Sequence, residues 1–262
     1  MDEAVSLVKN GQTLALGGMT IYRRPVAFVL SLIHCPMPPQ QLTLLAFTGG
    51  LASDLLVGAG LVTTTRTCYF GLEIFGLAPM FTAAASNGHI QIIEETEASI
   101  ANGLRARMAH VGFMPSRAWQ GTEMFTVRPD VQTMPDPYTG QPVTLFPAIP
   151  VDVAVVHVLK TDPFGNAILG GNPTIDRELC LTAATVILTA EEVVEKIDAP
   201  IDIPGQTVTA VVPTPHGAWP TSCYPAYPID GEAILNYIAA CNNGRFQTHT
   251  RQMAAKIRQN IK

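Results

Sequence analysis

Short apolar runs rich in Val, Ile, Leu and Thr alternate along this chain with segments that carry helix-start and helix-stop residues. That alternation is the strongest constraint on the fold. Strands separated by helices pair in parallel, and a parallel sheet needs helices on both faces. The predicted class is therefore α/β, an open, mainly parallel sheet covered on both sides. Strand candidates are Thr13 to Leu16, Leu42 to Phe47, Thr63 to Phe70, Ile90 to Glu95, Val151 to Leu159, Val186 to Thr189 and Thr207 to Val212. Helix candidates are Asp2 to Lys9, closed by Asn10-Gly11, and Pro25 to about His34, with proline in the tolerated first turn. Others are Ser53 to Val57 with Ser53 as cap, Pro79 to Asn87, and a helix from the N-cap Thr96 to about His110. Ile175 to Ala184, Gly231 to Ala240 and Thr248 to Ile261 complete the set. Residues 128–142, with Pro129, Pro135, Pro137 and Gly140, read as an irregular surface excursion. The expected organisation is one domain over residues 1–262, closed by helices from about residue 231.

Charged residues make up 14% of the chain, against about 25% in ordinary soluble domains. A surface so poor in charge is expected to be partly covered by a partner. The net charge is -5, and Arg23-Arg24 is the only basic pair before dispersed basic residues at the C-terminus, from Arg245 to Lys262. Nucleic acid is not an expected partner. No apolar run approaches the ~18 residues of a spanning helix, and Met1-Asp2-Glu3 lacks a basic leader, so neither a membrane nor secretion is expected. Five cysteines, odd in number and without a C-x-x-C, fit reduced thiols in a cytoplasm.

Gly17-Gly18-Met19-Thr20 lies between a predicted strand and a predicted helix. Two glycines there let backbone N–H groups face a ligand above the strand ends, where they can hold a phosphate or an oxyanion. The plain alternative is a tight turn. Glu94, Glu95 and Glu97 cluster where a strand meets a helix. The helix dipole favours carboxylates there, and a general base or nucleophile at the mouth of a site would sit in the same place. Glu73 is a weaker candidate on the same logic. Arg23, Arg24 and Arg117 stand in loop-like contexts suited to a carboxylate or phosphate, or to a structural role. His157, inside an apolar strand, reads as a satisfied core histidine, while His216 lies in a Pro- and Gly-rich loop. The histidines and cysteines lack metal-ligand spacing, so no metal is expected. Neither G-x-S-x-G, nor a phosphate-binding P-loop, nor a full G-x-G-x-x-G is present.

Several segments together resemble the A-type half of glutaconate CoA-transferase and its relatives. Gly17 to Val29 resembles that half's glycine loop and basic-Pro helix start. Ser53 to Val62 resembles its "DLLIGAG" segment. Phe113-Met114-Pro115-Ser116-Arg117 with Gly121-Thr122 resembles "FLPxR…GTD". Pro150 to Val158, Asp162 and Gly165-Asn166-Ala167 resemble "PDVAIIHV…D…GNA". Asp176-Arg177-Glu178-Leu179, Thr189 and Glu191-Glu192-Val193-Val194 continue the order, so the similarity spans about residues 1–225.

The resemblance implies the CoA-transferase fold, shared with ribose-5-phosphate isomerase-like and glucosamine-6-phosphate deaminase-like proteins. It also implies a B-type partner in a heterotetramer or heterooctamer, no bound cofactor, and a coenzyme A thioester as substrate. In this family a glutamate of an E-x-G-x-x-G-type segment on the B side attacks the acyl-CoA thioester. An acyl-glutamyl anhydride forms, then a glutamyl-CoA thioester, and the acceptor acid takes the CoA. No glutamate of this chain is followed by x-G, so the nucleophile is expected on the partner. The resemblance gives Gly17, Gly18, Met19 and Thr20 the role of oxyanion donors. Arg23, Arg24, Glu73, Arg117, Gly121 and Thr122 are the substrate-binding candidates. A related heteromer that hydrolyses a CoA-linked steroid ring carries an "E-x-D-E-G" segment similar to Glu94 to Ala98, which makes Glu97 a candidate base for hydrolysis. A ligand-sensing or scaffolding role is the alternative of another class.

Overall fold

The computed structural model describes residues 1–260; Ile261, the end of the last predicted helix, and Lys262 lie outside the described residues. After a short helix α1 (Asp2–Val5), the chain forms an eight-stranded sheet. Its central strand is β1 (Thr13–Leu16), flanked on one side by β2 (Leu42–Leu45), β3 (Val62–Thr67) and β4 (Gln91–Glu94). On the other side lie β8 (Val153–Thr161), β10 (Thr185–Val193) and β11 (Ala210–Pro213). These pairings are all parallel, and β9 (Ala167–Ile168) folds back antiparallel on β8. The chain thus builds outward from β1 in one direction and returns to build outward in the other. The strand order reverses between β1 and β8, and open parallel sheets bind ligands beyond the carboxyl ends at such a point.

The faces follow from the two-residue period of a strand. Leu14 and Leu16 point to one side, Ala15 to the other. The first side packs on α2 (Val26–Ile33), α3 (Leu51–Gly58), α8 (Gly231–Asn242) and α9 (Phe246–Asn260) through Phe28, Leu55, Tyr237 and Met253. The second side, with the small residues Ala15 and Ala154, takes α5 (Glu97–Met108) and α7 (Asp176–Thr182) through Ile100, Leu104 and Leu179. Asp54 ties three helices together: its carboxylate accepts the Phe81 N–H (2.7 Å) at the start of α4 (Pro79–Ser86) and the Tyr237 hydroxyl (2.7 Å) from α8.

Two sequence readings need correction. Ser53 does not cap α3. Gly50 is the N-cap, and Ser53 is buried one turn in, accepting from Arg24 Nη2 (3.1 Å). Most of residues 128–142 is not irregular. β6 (Gln132–Pro135) and β7 (Pro142–Pro147) form a hairpin that pairs on to β5 (Phe113–Ser116) as a separate three-stranded antiparallel sheet. Its prolines misled because Pro135 and Pro142 face each other next to the turn, as the last residue of β6 and the first of β7, where a proline is tolerated. Trp119, Val131 and Phe146 give this sheet a small core of its own, against which Phe125 of α6 (Met124–Val127) packs.

Candidate active site

The loop after β1 is held from beneath by buried charge. Gly18 adopts φ +78, and a Cβ there would stand 2.4 Å from the Arg23 carbonyl oxygen, so only glycine fits. Its N–H donates to both carboxylate oxygens of Asp176 (3.0 and 3.1 Å), the fully buried first residue of α7. Arg23 completes the unit. Its Nη2 donates to Asp176 Oδ2 at 2.6 Å and to the Asn172 carbonyl at 2.9 Å, and its Nη1 donates to the His157 carbonyl at 2.6 Å. Arg24 lies alongside, donating to the Gly18 carbonyl (3.0 Å) and to Ser53. Burial lowers its pKa to about 10, so it remains a cation at neutral pH. Both arginines are fully buried. Among the substrate-binding candidates these two are thus placed beneath the loop: their Nη groups bond the loop and its neighbours, and neither side chain faces solvent or lines a depression.

The loop's N–H groups are also committed. Gly17 donates to the Val155 carbonyl (2.9 Å), Gly18 to Asp176, Met19 to the Tyr22 carbonyl (2.9 Å) and Thr20 to Thr48 Oγ1 (2.9 Å). In this arrangement none is left to stabilise an oxyanion. Thr20 is unusual in another way. It sits at φ +32, a strained value for a β-branched residue, and its buried hydroxyl has no hydrogen-bond partner. Gly50 makes room for it: a Cβ there would lie 1.8 Å from the Thr20 carbonyl oxygen. Thr20 walls a depression of about 330 Å³ with Met19, Ile21, Tyr22, Glu73, Gly171, Asn172 and Tyr224. Glu73, exposed and at φ +54, thus stands beside the glycine loop.

A second depression, of about 630 Å³, opens at the ends of β2, β3 and β4. Thr48, Cys68, Tyr69, Glu95, Thr96, Glu97, Ala98, Ala118 and Trp119 line it. Thr96 caps α5, its Oγ1 accepting the Ser99 N–H (3.2 Å) and the Trp119 indole N–H (2.8 Å). Glu97 follows as the first residue of the helix and is exposed. The three clustered glutamates separate by role. Glu95 is buried and paired with Arg66 (2.6 Å) and Arg128 (2.8 Å), Glu94 is exposed on the edge strand, and only Glu97 offers a free carboxylate to the depression. The Cys68 thiol is pushed up to about 11, by burial first and by the charge of Glu97 next, so it is no nucleophile at neutral pH. Arg117 is exposed and adjoins the depression through Ala118. Gly121, at φ +75, and Thr122, whose N–H and hydroxyl donate to the Trp119 carbonyl (3.0 and 2.9 Å), form the turn that seats Trp119 and line neither depression.

Behind the loop, His157 bridges Thr189 Oγ1 (2.9 Å) and Glu191 Oε1 (2.6 Å), as a satisfied core histidine should. Glu191 also accepts the Tyr227 hydroxyl (2.5 Å) and the His216 N–H (2.6 Å). Burial would raise this carboxyl, but those bonds hold it below the usual range. His157, Glu191 and Cys223 have the chemistry of a metal group, with ligand atoms within 4.8 Å of one another. The histidine and glutamate already bond each other, and burial lifts the thiol to about 12. Sequence reasoning missed Asp176, Thr48 and Trp119 as supports of the site.

The coenzyme A transferase family profile matches residues 1–213. The A-type half of a 3-oxoadipate CoA-transferase from Pseudomonas knackmussii is 30% identical over 87% of this chain and 82% of its own length. A cholesterol ring-cleaving hydrolase IpdA subunit from Rhodococcus jostii is 32% identical over 90% of this chain and 84% of its own. An uncharacterized protein of Archaeoglobus fulgidus is 34% identical over 91% of this chain, which spans only 54% of that relative. Among solved structures, a variant of the decarboxylase AibA/AibB superposes with a TM-score of 0.90 at 29% identity, covering 97% of this chain and 96% of its own. The chain belongs to the coenzyme A transferase family. Within it, the chain is of the A type, similar to those halves of the 3-oxoadipate and glutaconate enzymes.

Proposed function

We propose that this chain is the A-type half of a heteromeric enzyme that moves CoA between an acyl-CoA and a carboxylic acid, with the covalent glutamate on a B-type partner. The match to the transferase family over residues 1–213 carries this reading. Two features of the chain support the division of labour. No glutamate is followed by x-G, the setting of the covalent glutamate in the family's B-type half, and both depressions lie open at the carboxyl edge of the sheet. Ile74 and Leu77, 91% and 71% exposed, stand beside Glu73, and Tyr224 is 70% exposed on the same depression. An apolar rim of this kind suits a partner surface. The glycine loop and Glu73 then wall the acyl pocket. Glu97 faces the second depression and Arg117 adjoins it, from which an acceptor acid or CoA phosphate would be reached.

A second reading keeps the assembly and changes the chemistry. Glu97 acts as a base for hydrolysis of a CoA-linked ring. The free carboxylate at the N-terminus of α5, together with the hydrolase relative at 32% identity, favours it. A sensing or scaffolding role has no comparable support.

The deciding experiment is an assay of the purified heteromer for CoA transfer and for thioester-linked hydrolysis, in wild type and Glu97→Ala. Transfer activity that survives Glu97→Ala supports the transferase. Hydrolysis without transfer, lost in Glu97→Ala, supports the hydrolase. An assembled heteromer inert in both assays overturns both readings in favour of a scaffold.

A further inference from the structure

The acyl depression beside the glycine loop has an unexpected charge. Arg23 and Arg24, the nearest cations in sequence, are turned beneath the loop and fully buried. Glu73 is the only charged residue among the described residues lining the depression. A substrate carboxylate placed here would meet a like charge and no counter-ion from this lining, which disfavours its ionised form. Thr20, one of the residues lining the depression, carries a polar group behind that wall with no partner. The Thr20 hydroxyl is buried and unbonded, and buried hydroxyls of native proteins are rarely left so. Its residue is also held at a strained φ of +32 by a loop whose every N–H from Gly17 to Thr20 is already bonded. Strain and an orphaned hydroxyl behind the wall of one depression are features that a ligand resolves. A change of rotamer breaks no hydrogen bond of the Thr20 side chain, because it makes none.

We infer that this depression takes an uncharged acyl group bearing a hydroxyl or keto oxygen, read by the Thr20 hydroxyl, and that Glu73 rejects acyl groups ending in a carboxylate. Thr20 and Glu73 are then the specificity residues of this chain. The inference rests on the CoA-thioester reading above, and it sets this chain apart from relatives named for 3-oxoadipate and glutaconate.

The test compares 3-hydroxybutyryl-CoA, butyryl-CoA and glutaryl-CoA with the assembled heteromer. Wild type is expected to favour 3-hydroxybutyryl-CoA over glutaryl-CoA by at least about tenfold in kcat/KM, and over butyryl-CoA by about fivefold to tenfold, the value of one hydrogen bond. Thr20→Val should erase the preference over butyryl-CoA, and Thr20→Ser should keep it. Because the hydroxyl is unbonded in the free protein, Thr20→Val should not lower the Tm; a merely structural hydroxyl would lower it. Glu73→Lys should raise use of glutaryl-CoA. A wild-type preference for glutaryl-CoA, or a Thr20→Val variant that still prefers the hydroxyacyl group, overturns the inference. Binding of the unreactive thioethers S-(3-hydroxybutyl)-CoA and S-butyl-CoA separates the two levels. If no thioester is turned over but the hydroxylated thioether binds more tightly and Thr20→Val removes the difference, the activity falls and the inference stands. Equal binding overturns it.

Discussion

Arg23 and Arg24 are neighbours in sequence and do different work. Arg23 shares the Asp176 carboxylate with the Gly18 N–H, so one buried ion pair sets the turn of the loop. Removing one partner of such a pair strands a charge, at a cost of about 3–5 kcal/mol. Asp176→Ala is therefore expected to destabilise the chain by that amount in urea unfolding and to loosen the loop, seen as faster amide exchange at Gly18. Asp54 offers a test by pH. Burial raises its carboxyl to about 6, while the bonds from Tyr237, Phe81 and Met80 only partly oppose this. The folded chain thus holds this proton more tightly than the unfolded one, whose carboxyl titrates near ~3.9. Its contribution is complete below about pH 3.9 and is lost as the pH rises through about 6. Compared with Asp54→Asn, wild type should lose on the order of 3 kcal/mol of stability between about pH 4 and pH 7. A pH-independent difference between the two proteins would refute the assignment.

Among the elements, α5 connects fold to site most directly, because its first turn carries Glu97. Thr96 caps that turn and also accepts the Trp119 indole, so it couples the helix to the wall of the second depression. Thr96→Ala should cost about 1 kcal/mol by thermal unfolding and change the fluorescence of Trp119, whose N–H loses its acceptor. The N-cap and the helix were legible because capping is local. So was β1, predicted as Thr13 to Leu16 and found at those bounds. The hairpin of β6 and β7 was hidden by the prolines that flank its turn. The Gly18–Asp176 contact was hidden for a different reason: its residues lie 158 positions apart, and nothing local pairs a glycine turn with a distant helix start. The residue pattern drew attention to Glu73 and Glu97, which the fold sets on the two depressions, and it left Arg23 and Arg24 between a ligand-binding and a structural role; the fold buries both. Composition alone does not distinguish a guanidinium that meets a ligand from one that holds the loop.

At the scale of the whole molecule, the proposed function makes this chain half of a site. Its carboxyl edge carries a strained loop, two depressions, two exposed carboxylates and an apolar rim at Ile74 and Leu77, and its sequence lacks the E-x-G nucleophile. A partner covering part of this surface, as the proposed function requires, would account for a charged fraction of only 14%. The most direct test exposes the assembled heteromer to its acyl-CoA, then to borohydride, and locates the trapped carboxyl by mass spectrometry. The proposed function predicts loss of activity with the reduced glutamate on the B-type partner and none on this chain. A reduced glutamate at Glu73 or Glu97 of this chain would contradict it.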